Sequence, residues 1–160
     1  MTAEAKNRQR PPPARVTLEP MADWHLPQVM EIENQCFTEP WKDQDFLKLI
    51  DRPDSICLVA LDALERLAGY CCCWIVLESA ELGNIAVHPD YEGRSVARKL
   101  LDRALETCCA RKVTAVFLEV RASNQRAIEL YELNGFIRIG LRRGYYRQPP
   151  EDAVIMKLEL

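Results

Sequence analysis

Between Asn84 and Leu101 the chain reads N-I-A-V-H-P-D-Y-E-G-R-S-V-A-R-K-L-L, and this stretch limits the fold more than any other. Asn84 to Val87 closes a short apolar run of strand type. His88-Pro89-Asp90 is turn chemistry, since proline presets one dihedral and aspartate tolerates turn geometry. A helix opens near Arg94 or Ser95, with Val96, Leu100, Leu101, Ala104 and Leu105 at helical spacing. A strand, a short loop and a helix N-terminus make an anion site. The first amides of a helix lack partners within it, and its dipole favours negative charge there. Arg94, Arg98 and Lys99 add positive side chains. A phosphate-bearing ligand fits this stretch. So does an ordinary strand-loop-helix joint with a solvated basic edge, and the rest of the chain has to decide.

A chain of 160 residues that is 48% hydrophobic and 28% charged reads as one domain with a real core. No apolar run approaches the ~20 residues that span a bilayer, so no membrane partner is expected. The start, M-T-A-E-A-K-N-R-Q-R-P-P-P, is polar and proline-rich and lacks the apolar segment of a signal peptide. A flexible tail over residues 1–14, a single domain over 15–160 and a cytoplasmic location are the expectations. The seven cysteines show no C-x-x-C spacing, and Cys71, Cys72 and Cys73 are consecutive in a strand-like run, so they alternate faces. Reduced, mostly buried thiols are expected, and no metal. The net charge of −3 argues against direct binding of nucleic acid. The charge is uneven: Glu31, Glu33, Glu39, Asp43, Asp45, Asp51 and Asp54 face only Lys42, Lys48 and Arg52. That segment suits a basic partner, or is a solvated helix face.

Taken in order, a weak strand spans Arg15 to Glu19. A helix from about Ala22 to Cys36 follows, with Leu26, Val29, Met30, Ile32 and Phe37 on its stripe. Pro40 interrupts, and a short helix runs from Asp43 to Asp51. Ser55–Leu61 and Leu67–Leu77 form a hairpin, then Glu81–Val87 is a strand. The helix from Arg94 to about Ala110 leads to the strand Val113–Val120. There Ala115, Phe117 and Glu119 share a face, and a carboxylate beside a phenylalanine is out of pattern. Ser123 or Asn124 caps a helix from Gln125 to Asn134, and Gly135 suits its left-handed end. Phe136–Leu141 and Ala153–Leu158 are the last strands, joined by a loop over Arg142–Asp152. The order β-α-α-β-β-β-α-β-α-β-β predicts an α/β (α+β) domain: a mixed, mainly antiparallel sheet with helices on both faces.

This order, with N-I-A-V-H-P-D-Y, L-E-V-R-A-S-N-Q-R-A-I-E-L-Y-E-L-N-G-F, R-R-G-Y-Y and E-D-A-V-I-M, resembles the GCN5-related N-acetyltransferases, the GNAT superfamily. The likeness runs from about Val16 to Leu158. It is greatest to the RimI type, which acetylates the N-terminal alanine of a small-subunit ribosomal protein. The resemblance implies acetyl-CoA as cosubstrate. It implies main-chain contacts from Ile85, Ala86 and Val87 to the pantetheine arm. It also implies amides from Gly93, Arg94, Ser95, Val96, Ala97 and Arg98 on the pyrophosphate, and a CoA contact from Asn124 beside its capping role.

Two residues depart from the family's loop pattern. Glu92 stands for glutamine or arginine, and its charge in solvent costs under about 1 kcal/mol. Ser95 stands for glycine. If that residue has positive φ the strain is about 1–2 kcal/mol, and if it is helical the cost is small.

The resemblance further implies Glu119 as general base, through water, and Tyr131 as the acid that protonates the leaving thiolate. An α-amine, of pKa about 8, needs less help than a lysine at about 10.4. Direct transfer in a ternary complex is expected, from a monomer. Phe37, Trp41, Tyr145 and Tyr146 are the candidates to line the acceptor groove, though the two tyrosines fit hairpin packing equally. A basic ribosomal-protein tail is the favoured acceptor. Other protein N-termini, lysines or a small amine are the alternative, and a non-catalytic CoA-binding module is a third reading.

Overall fold

The computed structural model describes residues 10–160, so residues 1–9 of the expected tail lie outside the described residues. The elements are β1 (Thr17–Pro20), α1 (Leu26–Cys36), α2 (Asp43–Ile50), β2 (Ser55–Leu61), β3 (Leu67–Val76), β4 (Ser79–Val87), α3 (Val96–Ala110), β5 (Ala115–Arg121), α4 (Gln125–Leu133), β6 (Ile137–Arg147) and β7 (Pro150–Glu159). This is the predicted order. Short 3₁₀ turns at Asp23–His25 and Pro89–Tyr91 are added. The strands form one sheet in the order β1-β2-β3-β4-β5-β7-β6, antiparallel throughout except for the β4–β5 pair.

Strand alternation sends side chains to two cores. On β2, Ile56, Leu58 and Ala60 pack with Val96, Leu100, Leu101 and Ala104 of α3 and Ile128 of α4. Their neighbours Cys57, Val59 and Leu61 pack with Val29 and Ile32 of α1 and Phe46 of α2. The helices therefore cover both faces, two on each. The cysteines obey the same rule: Cys71 and Cys73 lie in one core and Cys72 in the other, all three as buried free thiols. Among the described residues no helix is long and apolar enough to cross a membrane.

Local chemistry sets the helix ends. The Asn124 side chain accepts from the Ala127 N–H at 3.2 Å and opens α4, and Gly135 at φ +92° ends it. The Lys42 N–H donates to Asp45 Oδ2 at 3.0 Å at the start of α2.

Most boundaries shift by a few residues, and two differences from the sequence reading matter for the site. Ala14, assigned to the tail, is 1% exposed, and its N–H donates to the Arg94 carbonyl at 2.9 Å. The Arg142–Asp152 stretch is mostly a hairpin, not a loop: Tyr146 pairs with Glu151 and Arg147 with Pro150. A register shift between Arg142 and Tyr146, with Gly144 at φ +63°, lets β6 run through.

The position of the site is fixed by one extra residue in β4. Cys72 pairs with Asn84 and Cys73 with Leu82, so Gly83 has no partner on β3. Before this bulge Ala80 and Leu82 face α3 and α4; after it Ile85 and Val87 do, a change of phase. Glycine is required here, because a Cβ at Gly83 would lie 2.2 Å from the Trp74 ring. The β4–β5 ladder also stops at this point, with Leu82 and Leu118 as its last pair. From there β4 stays with β3 and β5 with β7. The two strands fork apart.

Candidate active site

The fork leaves Gly83–Val87 with β3 on one edge and no strand on the other. Main-chain donors and acceptors on an open edge need a partner, which an extended amide chain supplies. One groove runs through the fork. It is lined by Ile85, Ala86, Val87, Gly93, Ser95, Val96, Ala97, Arg98, Asn124, Glu119 and Tyr131, and at its other end by Phe37, Trp41, Tyr145 and Tyr146. Of the residues singled out in the sequence, Arg94 is the exception. Its guanidinium donates to the Pro12 carbonyl at 3.2 Å and lies 5.6 Å from the Tyr91 ring centroid. Lys99 likewise turns to the Ala14 carbonyl, at 2.6 Å. The N-terminal segment thus uses two cations that the sequence offered to an anion.

In the loop before α3, Gly93 (φ +70°) and Ser95 (φ +65°) are both left-handed, and α3 starts directly after them. The strained alternative for Ser95 is the one realised. Replacing Ser95 by glycine removes about 1–2 kcal/mol of left-handed strain and adds back about 0.5–1 kcal/mol of chain entropy. The net gain is up to about 1.5 kcal/mol, so Ser95→Gly is expected to raise the midpoint of thermal unfolding by up to about 6 °C, and calorimetry checks it. Glu92 pairs with Arg126 of α4 at 3.2 Å, both exposed, so the negative charge beside the loop has a partner. Arg98 sits 3.9 Å from Asp102.

Glu119, on β5, and Tyr131, on α4, both line the groove. Arg142 Nε lies 3.2 Å from Glu119 Oε1. The nearby Glu119 carboxylate pushes the Tyr145 phenol up to about 12, so it keeps its proton at neutral pH. Tyr131 packs on Phe136 at 5.7 Å between centroids, and burial pushes its phenol well above the usual tyrosine value. Its hydroxyl bonds to none of the described residues, yet among them no buried side-chain polar atom goes unpaired. The hydroxyl therefore opens onto the groove.

The far end of the groove is closed by contacts that sequence reasoning missed. Arg121 Nη2 donates to Thr38 Oγ1 at 3.2 Å and to the Gln148 carbonyl at 2.9 Å. Its other Nη donates to the Pro149 carbonyl at 3.1 Å, and its guanidinium stacks 4.1 Å from the Tyr146 centroid. The α1–α2 loop and the β6–β7 hairpin are clasped together over the groove. Trp41 lies between Phe46 and Trp74, at 5.3 and 6.2 Å between centroids. The charge pattern counts Glu33 in an acidic surface, but it is fully buried and adds nothing to that surface. Its signal was its place on the apolar stripe, at helical spacing from Leu26, Val29, Met30 and Phe37. Among the described residues no group of three or more His, Cys, Asp or Glu is arranged to hold a metal.

Three comparisons bear on this arrangement. The [ribosomal protein bS18]-alanine N-acetyltransferase of Salmonella typhimurium is 36% identical over 146 residues, covering 90% of this chain and 97% of that protein. The crystal structure of the ribosomal-protein-S18-alanine N-acetyltransferase from Escherichia coli superposes with a TM-score of 0.83 at 33% identity, covering 91% of this chain and 94% of that one. Arabidopsis thaliana NAA60 in complex with acetyl-CoA has a TM-score of 0.84 over 91% of this chain and 99% of its own; at 18% identity it shows the fold alone. The model of the acetyltransferase (GNAT) family matches residues 26–136, most of the chain, and with the forked sheet this settles its membership: the chain belongs to the GNAT acetyltransferase family.

Proposed function

We propose that this protein transfers the acetyl group of acetyl-CoA to the N-terminal α-amine of a protein, specifically the alanine that begins a small-subunit ribosomal protein. The observation that carries this reading is the open edge of Gly83–Val87 facing Glu119 and Tyr131 across one groove. The names of the relatives above supply the acceptor.

In this reading the main chain of Ile85, Ala86 and Val87 pairs with the amides of the pantetheine arm. Amides over Gly93–Arg98 hold the pyrophosphate at the start of α3, and Asn124 adds a CoA contact while it caps α4. The donor then lies with its thioester near the Val87 amide, which polarises the carbonyl. The α-amine attacks, a C–N bond forms, and the C–S bond breaks. The nitrogen loses its proton through water to Glu119, and the departing sulfur takes a hydrogen bond, and with it a proton, from Tyr131. Acceptor and donor are bound together, so no acyl-enzyme forms. Phe37, Trp41, Tyr145 and Tyr146 flank the acceptor. The exposed Glu31, Glu39, Asp43, Asp45 and Asp51 attract its basic residues. The unit is a single cytoplasmic domain acting as a monomer, without direct contact to nucleic acid.

Mass spectrometry of short peptides after incubation with the protein and acetyl-CoA tests the reading. One peptide begins with alanine followed by basic residues; the second has the same sequence with a blocked N-terminus and an internal lysine. One acetyl group on the first peptide alone is the expected result. Acetylation of the blocked peptide would move the acceptor to lysine. Neither product, with CoA still bound, would leave a binding module.

A further inference from the structure

Glu33 is 0% exposed, and the mechanism above does not use it. A carboxylate is retained in a protein interior only when its oxygens are bonded in good geometry. Here the donors come from three separate elements. The Trp41 main-chain N–H donates to Oε1 at 2.8 Å, from the loop between α1 and α2. The Asn84 side-chain amide donates at 3.1 and 3.2 Å to the two oxygens, from the residue just after the β4 bulge. The Tyr70 hydroxyl donates to Oε2 from β3.

These elements have different tasks around the groove. The Phe37–Trp41 loop lines the groove together with the Tyr145–Tyr146 hairpin, to which Arg121 clasps it. Trp41 and Trp74 both press on the space that Gly83 leaves open, so the bulge and the loop share one contact. The strand Ile85–Val87 is held independently, by the pairs Cys71–Ile85, Tyr70–Ala86 and Gly69–Val87. Losing the Glu33 bonds would loosen the Trp41 end of the loop, while Thr38 stays clasped to Arg121 and that strand stays in place.

We propose that Glu33 is a positioning residue for the acceptor: its carboxylate ties the acceptor loop to the β4 bulge and fixes the distance between the acceptor wall and the reacting carbonyl. This rests on the acetyltransferase reading. A carboxylate is needed because every partner donates. Glutamine has the same size but offers one acceptor oxygen, and its amide would confront the Trp41 N–H or the Asn84 amide.

Glu33→Gln separates this role from a purely structural one. With the alanine-initiated peptide and saturating acetyl-CoA, the peptide KM is expected to rise about tenfold or more, with kcat within about threefold. The dissociation constant for CoA, from calorimetry, stays within about twofold. An unchanged KM, or a matching loss of CoA affinity, would overturn the proposal. If Glu33→Gln does not fold, Tyr70→Phe decides. It removes one donor and is expected to raise the peptide KM about threefold with the same split, and an unchanged KM there overturns the proposal equally. Failure of the unaltered protein to acetylate any amine overturns the enzyme reading together with this inference. Normal acetylation that is indifferent to Glu33 overturns the inference alone.

Discussion

Glu119→Gln is expected to lower kcat at neutral pH by about two orders of magnitude or more, the range of a positioned general base. Glutamine keeps the shape and one carbonyl oxygen for Arg142, but it cannot accept the proton that leaves the attacking nitrogen. The effect will not come from unfolding. The Glu119–Arg142 pair is half open to solvent on the arginine side, and a pair of that kind contributes at most about 1 kcal/mol. The CoA site is also spared, since the proposed contacts to the cosubstrate come from β4 and the start of α3. The pH dependence carries the sharper sign. An α-amine of pKa about 8 is mostly protonated at pH 7 and mostly free at pH 9. The variant's rate should therefore climb with pH over that interval as the amine deprotonates itself, and the deficit against the unaltered protein should narrow. Release of CoA thiol, followed from pH 6 to 9, measures both curves. Equal turnover at pH 7 would remove Glu119 as the base.

How far such roles can be read in advance depends on the range of the contacts behind them. The strand ending at Val87, the helix after Ser95, and the cap and stop of α4 at Asn124 and Gly135 were legible, because each is local chemistry. The out-of-pattern carboxylate at Glu119 was legible for the same reason: alternation over a few residues exposes it. The bulge at Gly83 was not. It follows from stacking two tryptophans from distant segments over one glycine, and no local pattern announces it. The capture of Arg94 and Lys99 by the N-terminal segment spans about 80 residues of chain and was equally hidden. In the last hairpin Gly144, Pro149 and Pro150 read locally as a loop. Pairing with β7, itself held by β5, overrides that signal. Glu33 is the instructive miss. Its charge suggested a surface, whereas its spacing on α1 pointed inward, and the three donors that make burial tolerable lie in parts of the chain that only the fold brings together.

Tyr131→Phe is expected to reduce kcat between about tenfold and a hundredfold while CoA affinity stays within about twofold, and the size follows from what the phenol can do. A leaving thiolate has a pKa near 8.5, below that of a phenol, and burial raises the Tyr131 phenol further. Full proton transfer from Tyr131 to sulfur is thus uphill by about 1.4 kcal/mol for each unit of difference. What the phenol supplies at the transition state is chiefly a hydrogen bond to developing negative charge, worth about 1.5–3 kcal/mol, which is the tenfold-to-hundredfold range. The proton reaches sulfur only as the C–S bond finishes breaking, and this uphill transfer is completed because solvent reprotonates the phenolate. Phenylalanine keeps the packing against Phe136 and strands no partner, because the Tyr131 hydroxyl bonds to none of the described residues. The variant should therefore unfold within a few degrees of the unaltered protein, and its deficit should sit in kcat. A hydrogen bond to the leaving group also predicts a dependence on that group. Acetyl thioesters whose thiols are more acidic need less help, so the penalty of Tyr131→Phe should shrink along such a series. Stopped reactions with two acetyl donors of different thiol pKa measure it. A penalty that ignores the leaving group would place Tyr131 outside the chemical step, and equal turnover would remove it from the mechanism.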